Sequence, residues 1–217
     1  MGDLVKMEDL EAMSPVKYSA EDFALSVKAG DYLPRVQLMT SAAEPCKKGE
    51  FPINHYAMVS GQHMTDLGEY PDVVVLSWRP KALEIGEEVI SVYDPKSPEF
   101  QRIQAQAEVK DSGCMFGPEF LLYIPSQTCF ATLFMGSKSA RRESHAVMAR
   151  MAKAATLKSH LIETKKYSWY APLVTPCSTP LDLPAIEKIQ VEVEKFNNPA
   201  VQDVELAPED GASVRER

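Results

Sequence analysis

The stretch "FMGSKSARRESHAVMARMAKAATLKSHLIETKKYSWY" (134–170) is strongly basic, with eight of the 23 Lys and Arg residues against two Glu, in an otherwise acidic chain. Ser139 is a suitable residue to begin a helix, and no Gly or Pro interrupts the chain from there until well past Ile162. The spacing predicts one long amphipathic helix from about Ser139 to about Ile162. At 100° per residue, Val147, Met151, Ala154, Leu161 and Ile162 share one side, and Arg142, His145, Lys153 and His160 the other. On this reading the protein has a core packed under one long basic helix.

On the N-terminal side lie runs rich in β-branched and aromatic residues: "LPRVQLMT" (33–40), "INHYAMVSG" (53–61), "DVVVLSWR" (72–79) and "EVISVYD" (88–94). They read as short strands. "SPEFQRIQAQAEV" (97–109) breaks that rhythm with a Ser-Pro start and apolar residues at helical spacing, predicting a helix. "EFLLYIP" and "CFATLFMG" then read as a hairpin of two well-buried strands. Beyond the basic stretch come an extended segment and a last helix, "LPAIEKIQVEVEKF" (183–196). Many strands with little helix alternation predict an α+β fold, with an antiparallel sheet or a partly closed barrel of the oligonucleotide-binding kind and flanking helices. The expected division is an acidic extension with a short helix (1–31), one globular domain (32–196) and a disordered tail (197–217).

The formal charge is -8, but it is segregated. Residues 1–31 carry three Lys against seven Asp and Glu, residues 137–170 eight Lys and Arg against two Glu, and residues 171–217 four basic residues against nine acidic ones. A solvated helix face explains some of this. Two neighbours favour an anion partner. "GSKSARR" (136–142) places Lys138, Arg141 and Arg142 at a helix start, where the macrodipole disfavours cations but free N–H groups can hold an anion. "KKYSWY" (165–170) interleaves Lys165 and Lys166 with Tyr167, Trp169 and Tyr170, and "SWRPK" (77–81) repeats the pattern with Trp78, Arg79 and Lys81. Cations beside flat rings suit a single strand, whose phosphates need charge and whose unstacked bases need a π surface. The expected nucleic-acid-binding residues are therefore Lys138, Arg141, Arg142, Arg150, Lys153, Lys165, Lys166, Tyr167, Trp169, Trp78, Arg79 and Lys81. The competing reading keeps both tryptophans in the core.

Enzymatic chemistry finds little support. Ser112 and Cys114 in "KDSGCMFGPEF" have no activating base at a recognisable spacing, and Cys46, His55 and His63 match no metal-ligand motif. No phosphate loop or dinucleotide fingerprint is present, so neither a catalytic residue nor a cofactor is expected. Four scattered cysteines predict a reducing, intracellular setting. The N-terminus lacks the apolar centre of a signal peptide, and no apolar run is long enough to span a membrane.

The phrases "YLPRVQLMTS" (32–41), "KKGEFPINHY" (47–56), "DSGCMFGPEFLLYIP" (111–125) and "KKYSWYAPLVTPCSTP" (165–180) resemble those of a family of small proteins encoded by tailed bacteriophages. The resemblance implies a virus-encoded protein at work in the cytoplasm of a bacterial host, in DNA replication or recombination, of the single-stranded DNA-binding kind. It transfers no catalytic residue. Single-stranded DNA or RNA is the expected partner, with replication proteins and a second copy of the chain as further ones. The alternative is a structural or protein-binding phage factor whose basic helix docks on an acidic partner.

Overall fold

The computed structural model describes residues 27–28, 33–61, 63–86, 89–109, 112–163 and 168–198. Ten strands form one sheet: β1 (Val27–Lys28), β2 (Arg35–Leu38), β3 (Tyr56–Ser60), β4 (His63–Gly68), β5 (Asp72–Ile85), β6 (Val89–Val92), β7 (Cys114–Ile124), β8 (Cys129–Phe134), β9 (Lys153–Glu163) and β10 (Ser168–Pro176). The described helices are α1 (Glu44–Lys47), α2 (Pro98–Gln106), α3 (Lys138–Met148) and α4 (Ile186–Asn197). The α+β class expected from the sequence is the observed one, with the sheet strongly curled into a half-barrel.

The strand order is β1-β6-β5-β7-β8-β2-β3-β4. Neighbours run antiparallel except β2 and β8, so the sheet is mixed rather than purely antiparallel. Long β5 organises it. One edge pairs with β7; the other pairs with β9 along Asp72–Val75 and with β6 along Ala82–Ile85. A register shift between Val74 and Ser77 bends β5 near the point where its partner changes. The curl brings β3 back towards β9, although they are far apart in strand order. Tyr56 Oη donates to the Lys158 carbonyl at 2.6 Å, and Ser159 Oγ to Asn54 Oδ1. Side chains close this seam.

Both sheet faces are covered. Val73, Val75, Phe120, Leu122, Leu133, Ala155 and Leu157 pack with Ala140 and Val147 of α3. Val74, Leu121, Tyr123 and Phe130 pack with Ile189, Val193 and Phe196 of α4. Because β7 is buried on both sides, "EFLLYI" reads as an almost continuous apolar run. Ser97 caps α2 by accepting the Phe100 N–H, and Phe100 and Ile103 turn inward as their spacing predicts. Gly117 allows β7 to pass the chain entering α3: a Cβ there would lie 2.2 Å from the Met135 carbonyl oxygen.

One expectation fails. The long helix of 139–162 ends at Met148, and Lys153–Glu163 is a strand. Ala152 has φ 56°, which a right-handed helix excludes, and its N–H donates to the Val75 carbonyl at 2.7 Å. After that turn, Ala155 and Leu157 are buried with period two. Sheet pairing on both sides of β9 overrides the helix propensity of an Ala-rich segment. The helix expected towards Gly30 does not include Val27–Lys28, which pair with β6; residues 1–26 and 29–32 lie outside the described residues. Of the tail, only Asn197 and Asn198 are described; Asn197 closes α4 and is buried.

Candidate nucleic-acid interface

Strands β9 and β10 pair from Ala155–Pro176 out to Glu163–Ser168, while β5 holds β9 only at its first four residues. Their distal half is thus a two-stranded ribbon with no further strand beside it, held by the seam to β3 and by the packing of β10 against α3. Trp169 pairs with Ile162 near its end and is 36% exposed; neighbouring Leu161 is 47% exposed. Lys165, Lys166 and Tyr167 belong to the connection between the strands and lie outside the described residues.

The cations of α3 and of the chain just after it have separate fates. Arg142 is exposed and Arg150 half-buried. Lys138 is exposed, 3.9 Å from the Glu108 carboxylate. Arg141 is a brace: its guanidinium donates to the Phe116 and Gly136 carbonyls, pairs with Glu108 at 3.1 Å and stacks on the Phe116 ring at 4.0 Å. Lys153 is exposed at the start of β9.

"SWRPK" divides by strand alternation. Trp78 faces outward, 41% exposed, whereas Arg79 and Lys81 are buried on the opposite face. Glu119 of β7 receives both, Arg79 Nη2 and Lys81 Nζ each lying 2.7 Å from a carboxylate oxygen. The Arg79 guanidinium also lies 3.8 Å from the Tyr93 ring centroid and 4.1 Å from that of Phe196, and donates to the Phe196 carbonyl. Burial penalises the Glu119 carboxylate, yet Arg79 and then Lys81 more than offset that penalty and hold its pKa below the usual carboxylate range. Arg79 is therefore committed to the interior, not placed on the surface where phosphates would be met. Glu119 was legible as an anomaly, since a lone acid inside a buried apolar run requires a partner.

A cleft of about 500 Å³ opens where β8 gives way to α3. Arg35 and Lys81 are its charged lining residues, Phe134 and Tyr170 contribute rings, and Ser137 and Ser139 contribute hydroxyls. None of the described residues along its wall is Asp or Glu, in a chain with 31 of them. Ser137 caps α3 through the Ala140 N–H, and the first turn of the helix holds no acid. Arg35 and Tyr170 were absent from the residues expected to bind. Nothing in "YLPRVQL" singles out Arg35, because only the parallel pairing of β2 with β8 brings it here.

The other candidate chemistries do not assemble. Among the described residues, no group of three or more His, Cys, Asp or Glu converges as a metal site. His55 Nδ1 instead lies 3.0 Å from both Asp66 oxygens. Cys114 is buried with its Sγ 3.4 Å from Gln106, and Ser112 Oγ accepts the Cys114 N–H. No described helix is long and apolar enough to cross a membrane. Comparison with protein families, with curated proteins and with solved structures found no match to this chain.

Proposed function

We propose that this protein binds single-stranded nucleic acid without catalysis, in phage DNA replication or recombination, using its curled sheet as an oligonucleotide-binding barrel does. The observation that carries the reading is the placement of the two indoles. Neither is sealed in the core, and Trp169 stands near the end of the ribbon that runs into Lys165 and Lys166. Bases stacked on Trp169 and Trp78 gain about 1–3 kcal/mol each, while the lysines and Arg142 meet phosphates. Arg79 is left out of this surface by its burial with Glu119.

Tryptophan fluorescence titrated with an oligothymidylate over a range of salt concentrations tests the reading. Quenching and an affinity that falls steeply with salt are expected. Replacing Lys165 and Lys166 together with Gln should reduce the log–log salt slope by about 1.4, since each single-strand phosphate contact contributes about 0.7. Absence of quenching and of any salt-dependent binding would sink the proposal in favour of a protein-docking factor.

A further inference from the structure

The cleft, whose described lining residues include no acid, has features that a continuous single-strand track does not need. It is a partly open cleft of about 500 Å³, within the range of about 300–1,000 Å³ typical of small-molecule sites. The ammonium of Lys81, which is 2% exposed, lies 5.5 Å from the Phe134 ring on its wall, positioned by Glu119. Exposed Arg35 also lines it, along with Ser139 and the half-buried ring of Tyr170. Flat apolar faces, hydroxyl donors and a guanidinium, with no carboxylate among the described lining residues, match a ligand with an aromatic ring at one end and a compact anion at the other.

We infer that this cleft binds a nucleoside monophosphate, as a free mononucleotide or as the phosphorylated end of a strand. Arg35 and the Ser137 and Ser139 hydroxyls take the phosphate, and Phe134 and Tyr170 provide the surface for the base. The cleft shares Tyr170 with the ribbon that carries Trp169, but Arg35, Ser137 and Ser139, which take the phosphate, lie on other elements.

Isothermal titration of the full chain with thymidine 5′-monophosphate, thymidine and inorganic phosphate is the test. The nucleotide should bind at least about tenfold more tightly than either fragment, the gain expected from joining one charge-assisted contact to one ring contact. Ser139→Glu puts a carboxylate in the wall and, at the start of α3, favours the helix, so it should fold normally and lose about tenfold or more in affinity. Arg35→Gln should lose a similar factor. A 5′-phosphorylated oligothymidylate that outcompetes both thymidine monophosphate and its unphosphorylated counterpart identifies a strand end; equal competition by the two oligonucleotides identifies the free nucleotide. No binding of either phosphorylated probe, or full binding by a folded Ser139→Glu protein, would overturn the inference.

Discussion

Glu119 joins two strands and a helix through its two oxygens. It binds Arg79 and Lys81 directly, and Arg79 in turn holds the last turn of α4 through the Phe196 carbonyl and ring. Removing one member of a buried ionic set leaves its partners desolvated. Glu119→Gln should therefore destabilise the fold by about 3–5 kcal/mol, measurable by urea denaturation. Replacing Arg79, Lys81 and Glu119 together with apolar residues of similar volume should cost less than that single change. The acid response comes from the same group. Its pKa is held down in the folded protein, so its stabilisation is fully present above the unfolded value of about 4.3 and is lost as pH falls through the lower folded value. A thermal melt series taken below about pH 4.3 should lose stability more steeply in the parent protein than in Glu119→Gln. Parallel curves would show that the carboxylate does not carry this term.

Elements with a single local signal were legible, and those decided by distant pairing were not. The helix α2 has its cap, its Pro and its inward residues all within the sequence window, and the β7–β8 hairpin has two long apolar runs around a short turn. The segment after α3 has no such signal. "MAKAATLKSHLI" suits a helix as an isolated peptide, and only its position between β5 and β10 makes it a strand. Ala152 is the pivot, at a φ that costs an L-residue roughly 1–2 kcal/mol. Ala152→Gly should accordingly stabilise the protein, by up to about 1 kcal/mol once the entropy of the unfolded chain is counted. A lower denaturation midpoint in this variant would contradict the strained turn. The same split between local and distant information divides the site: the exposed Trp78 and Trp169 belong to recognisable basic-aromatic phrases, whereas the Arg35 and Tyr170 sides of the cleft meet only in the fold.

Across the whole molecule, the curled sheet meets itself at a seam of side-chain hydrogen bonds. The sheet is continuous from β10 through β9, β5, β7, β8 and β2 to β3, and its two arms meet where the Tyr56 phenol reaches the Lys158 carbonyl. Burial pushes the Tyr56 pKa well above that of an ordinary tyrosine, so the phenol stays protonated and remains a donor throughout the working pH range. Tyr56→Phe keeps the ring in its fully buried place and deletes this bond together with the phenol's hydrogen bond to the Leu173 backbone. A buried hydrogen bond of this kind is worth about 0.5–1.5 kcal/mol, which in a chain of this size lowers Tm by roughly 2–4 °C per kcal/mol. Position gives the bond a second consequence. Lys158 lies where β9 leaves β5 for the ribbon, so loss of the tether should raise hydrogen exchange in the distal halves of β9 and β10 more than in β5 or β7. Oligonucleotide affinity should fall with it, while the salt slope, set by the number of phosphates neutralised, should stay constant. A uniform rise in exchange across the sheet would place the bond in the global core and not at the base of the ribbon.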